Sequence, residues 1–425
     1  MAGSDDTIIA LSSGRLPAAL GIVRASGLGA LALAEALAGT LPEPRHASLR
    51  RFVDPATGEE IDRGLLLVFP GPDSATGEDL VEFHLHGSRA VVNAILAAAS
   101  ARDGVRLAEP GEFTRRALAN GRIDLVQAEG LAELLEAETA LQRRAAQSRA
   151  GGDVSRLLED WRRRLLDMSA AAEIAIDYVD EEDGAEAPSV SEPALLLASE
   201  IEQALAAPRI DRLRDGFRIV LAGPPNSGKS SLINTLVGSD RAIVTPIPGT
   251  TRDSIEAPLL RGGLPLILID TAGLRDSEED IERLGIERSA QEIGNADLLL
   301  WLGDNPPAKC PRSLWLLPKA DIRQPVPGRL AISSVTRQGV DELWTAIHAN
   351  LLDRIPVAGQ IALTLREAML LGKIVSALHS VAASADPLLA SEELRVARMA
   401  YDRLTGRVGV EDLLDSLFAR FCVGK

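Results

Sequence analysis

Short apolar runs punctuated by turn residues open the chain. Ile8 to Leu11 and Ala18 to Val23 are separated by Ser12, Gly14 and Pro17, which predicts a β-rich start from Thr7 to Arg24. Mixed α/β pattern continues to about Gly121. Its clearest strands are Gly64 to Phe69 and Asp79 to His86; in the second, Leu80, Glu82, His84 and His86 alternate with Asp79, Val81, Phe83 and Leu85, as one exposed and one buried sheet face require. Gly71 to Gly77 before it is turn-rich. No proline occurs between Pro110 and Pro188, and Val126, Leu131, Leu134, Leu135 and Leu141 recur at helical spacing, so long helices are expected there. Gly151 and Gly152 mark a break between two of them. The acidic stretch Asp180 to Glu186, closed by Pro188, reads as a solvated loop, and helical composition resumes over Glu192 to Leu213 and Leu363 to Phe421.

From Phe217 to about Arg354 the pattern changes. Apolar runs at Phe217 to Ala222, Leu264 to Ile269, Leu298 to Leu302 and Ser313 to Leu317 alternate with helical segments, the signature of a parallel, doubly wound sheet. Helical sequence on both sides predicts an α/β domain inserted into a helical one. The fold class expected is therefore multidomain α/β plus α, with an α+β domain over residues 1–121, a helical domain from 122–213 and 355–425, and the insertion over 214–354. Length agrees, because 425 residues exceed what one core organises.

Charge narrows the partners. A formal net charge of −16 disfavours nonspecific grip on nucleic acid, which needs a broad basic face, so any RNA contact is local or shared. The two cysteines, Cys310 and Cys422, lie far apart and indicate neither a disulfide framework nor a thiolate metal site. Met1 to Thr7 lacks a charged-then-apolar leader and no apolar run approaches bilayer length, so a cytoplasmic protein with no membrane partner is expected.

The insertion carries the chemistry. Gly223-Pro-Pro-Asn-Ser-Gly228-Lys229-Ser230 matches the phosphate-loop pattern G-x-x-x-x-G-K-[ST], after a predicted strand and before a helix expected over Ser231 to Val237. In such a loop the backbone N–H groups of Asn226, Ser227 and Gly228 face phosphate, Lys229 meets the β- and γ-oxygens, and the Ser230 hydroxyl ligates Mg²⁺. Asp270-Thr271-Ala272-Gly273 ends a strand where the aspartate contacts Mg²⁺ through water and the glycine senses the γ-phosphate. Between them, Thr251 within Gly249 to Asp253 supplies the second Mg²⁺ hydroxyl from a switch loop. Asp321 of Pro318-Lys319-Ala320-Asp321 accepts from guanine N–H groups, although Pro318 replaces the usual asparagine and cannot supply its amide. Ser333-Ser334-Val335 resembles the last guanine loop.

Motifs spread along the whole chain resemble the tRNA-modification GTPase family MnmE, also called TrmE. They are Gly21 to Arg24, Thr76 to Asp79 running to Glu82 and His86, Pro110 to Arg115, Leu125 to Glu129, Gly249 to Asp253 and Phe421 to Lys425. The resemblance implies an N-terminal folate-binding domain that dimerises, a helical domain of two segments, and an inserted Ras-like G domain. It implies binding of 5-formyl-tetrahydrofolate by Arg24, Glu82, Arg122 and Lys425. It also implies K⁺ stimulation, with K⁺ held by Asn226 and carbonyls near Thr245, Ile247 and Thr250; GTP contacts extend to Ser231, Thr245 and Thr250, with Lys229 and Thr251 at the reacting phosphate. Glu282, by itself a solvated switch-helix residue, matches the family's water-orienting carboxylate. The expected role is a homodimeric GTPase that works with the flavoprotein MnmG, carrier of FAD, to install an aminomethyl-type group at C5 of the tRNA wobble uridine.

Competing readings are a ribosome-assembly or translation GTPase, and a GTP-regulated folate enzyme that leaves tRNA untouched. Two residue-level alternatives are weaker than structural roles: Cys422 as a nucleophile has no assignable charged partner, and His84 with His86 as a metal pair has no third ligand.

Overall fold

The computed structural model describes residues 6–178, 189–238, 255–271, 291–305, 312–356, 360–408, 411–421 and 423–424. In chain order, β1 (Thr7–Leu11), β2 (Leu20–Ser26), α1 (Ala30–Ala38), β3 (Ser48–Val53), β4 (Glu60–Phe69), β5 (Leu80–His86), α2 (Arg89–Ser100), β6 (Val105–Leu107) and α3 (Glu112–Ala119) come first. The helices α4 (Leu125–Glu136), α5 (Ala140–Ala150), α6 (Asp153–Tyr178), α7 (Ser191–Leu205) and α8 (Asp211–Asp215) follow. Next come β7 (Phe217–Ala222), α9 (Lys229–Val237), β8 (Ile255–Arg261), β9 (Leu264–Asp270), β10 (Leu298–Trp301), β11 (Ser313–Pro318), β12 (Leu330–Ile332) and α10 (Val340–Leu351). The chain closes with α11 (Leu365–Ala383), α12 (Pro387–Leu404) and α13 (Glu411–Phe418). They divide between two compact units, Met1–Leu135 with Arg149–Glu159 and Asp402–Lys425, and Glu136–Ser148 with Asp160–Tyr401.

The first unit is built on a sheet of order β3-β4-β5-β2-β1-β6, antiparallel except for the β1–β6 pair. The alternation of β5 decides its faces: Val81, Phe83 and Leu85 are buried, whereas Glu82 and His84 are half-buried and His86 is exposed. Beneath the buried face, Leu33 and Leu37 of α1 and Val92 and Ile95 of α2 close the core with Phe52 and Leu66. Each such side chain contributes ~1.5–3 kcal/mol by leaving water. A satellite core joins Leu125, Ala128 and Ala132 of α4 to Leu417, Phe418 and Phe421. Gly424 is drawn to the end of β1, where its carbonyl accepts from Ser12 Oγ at 2.8 Å, and Val423 bridges to Pro110.

In the second unit the sheet order is β12-β11-β10-β7-β9-β8, parallel except for the β8–β9 hairpin. Helices cover one face, with Leu232, Ile233 and Leu236 of α9 and Leu343, Trp344 and Ile347 of α10 packed on Ile219, Leu221 and Leu298. On the other face Val220, Ile269 and Leu299 meet Ile293 and Ala296. The segments on either side of this sheet in sequence run together: Ile210 N–H donates to the Leu363 carbonyl, Leu365 N–H to Asp211, and Glu202 meets His379 at 2.9 Å. A capping box, Thr364 with Glu367, starts α11.

Several expectations shift. The second strand runs from Leu20 to Ser26, with Arg24, Ala25 and Ser26 added beyond Val23 by pairing with β5; α9 begins at Lys229 and not Ser231; and the helical stretch Glu192 to Leu213 resolves into α7 and α8. The break at Gly151 and Gly152 is where α5 ends and α6 starts. The acidic stretch Asp180 to Glu186 lies outside the described residues.

Candidate nucleotide site

The site sits at the carboxyl ends of the central parallel strands, where β7, β9 and β11 release the chain into loops and helices. After β7 the chain must reverse within a few residues. Gly223, at φ 153°, lies so close to Leu302 and Gly303 that a Cβ would come within 3.1 Å of the Leu302 carbonyl carbon. Asn226 adopts φ 59° and Gly228 φ 99°, so two left-handed residues curl the loop into the N-terminus of α9. That curl turns backbone N–H groups and the positive helix end toward one space.

Lys229 is 5% exposed, and its ammonium donates to the carbonyls of Gly223 and Pro224, each at 3.0 Å. The cation is thus held over the loop by the chain itself. Ser230 Oγ donates to Asp270 Oδ2 at 2.6 Å, which joins the first motif to the end of β9 across 40 residues of sequence. Thr271, next in line, donates its hydroxyl to the Leu221 carbonyl at 2.9 Å and locks β9 to β7. Ser227 Oγ is buried without a protein partner, a polar atom that suits a ligand rich in acceptor oxygens.

At the end of β11, Lys319 takes φ 61° and turns the chain so that Asp321 faces back. Asp321 Oδ1 accepts from Ser333 Oγ at 2.6 Å, and the same hydroxyl oxygen accepts from the N–H groups of Val335 and Thr336 at 3.3 and 3.1 Å. Ser333 is fully buried, so the carboxylate is aimed by a fixed group. Thr235 of α9 donates to the Ser334 carbonyl at 3.3 Å and ties this loop to the phosphate-loop helix. Val335 is exposed. Ser231 lies in the first turn of α9, its carbonyl accepting from Thr235. Thr235 carries no motif signal in sequence; only the fold shows its work.

Among the nucleotide-site residues expected from sequence, Asn226, Ser227, Gly228, Lys229, Ser230, Ser231, Asp270, Thr271, Lys319, Asp321, Ser333, Ser334 and Val335 are described and lie on these connected loops. Thr245, Ile247, Thr250, Thr251, Ala272, Gly273 and Glu282 lie outside the described residues, as do Cys422 and Lys425.

In the first unit Arg24 and Glu82 are cross-strand partners. Arg24 donates to Glu82 Oε1 through Nε at 3.0 Å and Nη2 at 2.7 Å, and its guanidinium lies 5.9 Å from the Phe113 ring centroid. His84 Nε2 sits 3.1 Å from the other carboxylate oxygen. Burial pushes the Glu82 carboxyl up, but hydrogen bonds from His84 and Arg24 outweigh it and hold the group below its ordinary value. His86 instead meets Asp62, at 2.8 Å. The two histidines therefore serve different carboxylates. Arg122 leans over the Gly71 to Gly77 turn toward Asp73, 3.5 Å away.

Residues 7–122 match the model of the GTP-binding protein TrmE N-terminus, and residues 125–422, more than half of the chain, match that of the MnmE helical domain. The chain belongs to the MnmE family. Its MnmE relatives include the tRNA modification GTPase MnmE of Erythrobacter litoralis, 48% identical over 99% of this chain and 100% of that one. The protein of the same name from Novosphingobium aromaticivorans is 47% identical, over 99% of this chain and 100% of its own. A solved structure, the G domain of the T. maritima FeoB iron transporter, is 26% identical over 32% of this chain and 98% of that one at a TM-score of 0.24, and adds nothing to the MnmE assignment. Among the described residues, no helix is long and apolar enough to cross a membrane.

Proposed function

We propose that this chain hydrolyses GTP in the service of tRNA modification. One observation carries the nucleotide half of the reading: a phosphate loop, the Ser230–Asp270 contact and a serine-fixed Asp321 occur at the carboxyl ends of β7, β9 and β11 of one sheet. Family membership carries the tRNA half.

The roles follow from chemistry. Lys229 places its ammonium against the β- and γ-phosphates, and the loop N–H groups of Asn226 to Ser230 share that charge. Asp321 accepts from the guanine N1–H and exocyclic amine, while Ser333 keeps its carboxylate oriented. Lys319 and the Ser334–Val335 backbone flank the base. Mg²⁺ would be held by the Ser230 hydroxyl, with Thr251 as the second hydroxyl ligand and Asp270, already in contact with Ser230, reaching it through water; when bound it would neutralise charge on the phosphate oxygens. K⁺ would be held by Asn226 with Thr245, Ile247 and Thr250. Glu282 is the proposed orienter of the attacking water.

In the first unit, Arg24, Glu82, Arg122 and Lys425 are the proposed folate residues. A cation next to a carboxylate suits both the carboxylate tail and the N–H edge of a pterin. The full account is a cytoplasmic homodimer with three domains, over 1–121, 122–213 with 355–425, and 214–354, that acts with MnmG on the C5 position of the wobble uridine and takes a one-carbon unit from 5-formyl-tetrahydrofolate. Hydrolysis supplies conformational change, not bond energy for the modification.

Gene deletion followed by mass spectrometry of tRNA nucleosides tests this. The modified wobble uridine should vanish, return with the wild-type gene and stay absent with Lys229→Ala. An unchanged nucleoside profile, with no second route to the modification, overturns the tRNA assignment.

A further inference from the structure

Pro318 stands where the guanine-recognition motif ordinarily has an asparagine, and a proline offers neither a side-chain amide nor a backbone N–H. Yet the turn that carries Asp321 must still be set at a fixed distance from the phosphate loop. The structure contains another connection between the two.

It begins at the phosphate loop. Leu302 N–H donates to the carbonyl of Ala222 at 2.8 Å, and Gly223 packs against the Leu302–Gly303 backbone. On the far side, Trp315 of β11 donates its indole N–H to the Gly303 carbonyl at 2.8 Å. Arg329, 9% exposed, lays its guanidinium 4.1 Å from the Trp315 ring centroid. Its Nη1 lies 3.3 Å from Asp304 Oδ1, and its Nη2 donates to the Asp304 carbonyl. The same Oδ1 accepts from Arg323 at 3.0 Å. Arg323 is in turn anchored to the recognition turn, because its backbone N–H donates to the Lys319 carbonyl at 3.0 Å.

Asp304 thus grips both ends of the segment that follows Asp321, and Gly303 beside it is held by β11 and touches the phosphate loop. An exposed ion pair alone contributes little. A guanidinium that is nine-tenths buried, stacked on an indole and shared with a backbone carbonyl is a fixed spacer. We propose that Asp304, Arg329 and Trp315 form a strut that positions Asp321 for guanine in place of the amide that Pro318 lacks. The proposal rests on the GTP-site reading above, and none of the three residues touches the base; they are positioning residues.

The test compares binding of GDP and inosine diphosphate, which lacks the exocyclic amine, to the purified full chain. Fluorescent-nucleotide competition would be applied to the wild type, Arg329→Met, Asp304→Asn, Asp321→Asn and Pro318→Asn. Loss of one well-aimed hydrogen bond corresponds to roughly a five- to tenfold change in affinity. Arg329→Met should therefore weaken GDP, which loses both the N1–H and the amine contacts, more than inosine diphosphate, which loses only the N1–H contact, and so shrink the preference by about that factor. Asp304→Asn should act in the same direction; because Asp304 is 72% exposed, this variant keeps the test open if Arg329→Met does not fold. Pro318→Asn should change little alone and restore the preference in the Arg329→Met background.

Preserved preference in Arg329→Met and Asp304→Asn, alongside collapse in Asp321→Asn, overturns the strut and leaves the guanine site standing. A preference lost in Arg329→Met but not restored by Pro318→Asn overturns the substitution for the amide. Unchanged preference in Asp321→Asn defeats the guanine-site reading itself, and the strut with it.

Discussion

The hydroxyl of Ser230 donates to the carboxylate of Asp270 across 2.6 Å, joining the second residue of α9 to the last residue of β9. Both oxygens are hard donors of the kind Mg²⁺ prefers. Ser230→Ala removes one of them without disturbing the loop backbone. Fluorescent-GDP binding at graded Mg²⁺ should then require at least about tenfold more metal for half-saturation, the loss of one charge-assisted contact. An unchanged Mg²⁺ titration places the metal elsewhere.

Asp321 is an acceptor held by Ser333. Exchange for asparagine presents an amide donor in its place, which repels the guanine amine and suits the C2 carbonyl of xanthine. Asp321→Asn should lose GTP turnover by roughly a hundredfold or more, since a site built around a hydrogen bond rejects its mismatch strongly. Xanthosine triphosphate should become the better substrate in a steady-state phosphate-release assay.

Glu82 gives a pH signature. Burial raises its carboxyl, but His84 and Arg24 bring it net below the ordinary glutamate value of 4.5. A depressed folded-state value means the carboxylate stabilises the fold fully above the unfolded value and loses that contribution as pH falls through the folded one. Melting temperatures of the full chain should drop more steeply below about pH 4.5 in the wild type than in Glu82→Gln. Parallel curves would show that the Arg24–Glu82–His84 group contributes nothing to acid stability.

Arg149, 1% exposed, faces Glu129 at 3.1 Å and Glu133 at 3.3 Å. Methionine there would leave two carboxylates facing each other without the guanidinium between them. The expected cost is about 3 kcal/mol, the scale of breaking a buried ion pair from one side. Denaturant titration of Arg149→Met should show it, and adding Glu129→Gln and Glu133→Gln should recover part of the loss.

What could be read from the sequence divides along physical lines. The alternation of β5, the glycine pair between α5 and α6, and the phosphate loop are local signals, and each appears where its residues put it. The strands that left no clear trace lie at sheet edges. Pro258 interrupts β8 and Arg50 and Arg51 occupy β3, residues an edge tolerates and an interior strand does not, and β6 is three residues long. These segments become strands through their neighbours. In the same way, the motifs named Asp321 and Ser333 singly, but their contact, the Thr235–Ser334 tie and the separate carboxylates of His84 and His86 depend on pairing between distant segments.

The central claim is that this sheet end turns over guanosine triphosphate. The direct measurement is phosphate release by the purified full chain in Mg²⁺ and K⁺, with GTP and ATP in parallel and Lys229→Ala as the comparison. GTP should be hydrolysed, ATP should not, and Lys229→Ala should lower the GTP rate by about 10²-fold or more, as loss of a buried cation at the transferring phosphate requires. Absence of GTP turnover, equal turnover of ATP, or full activity in Lys229→Ala would contradict the account.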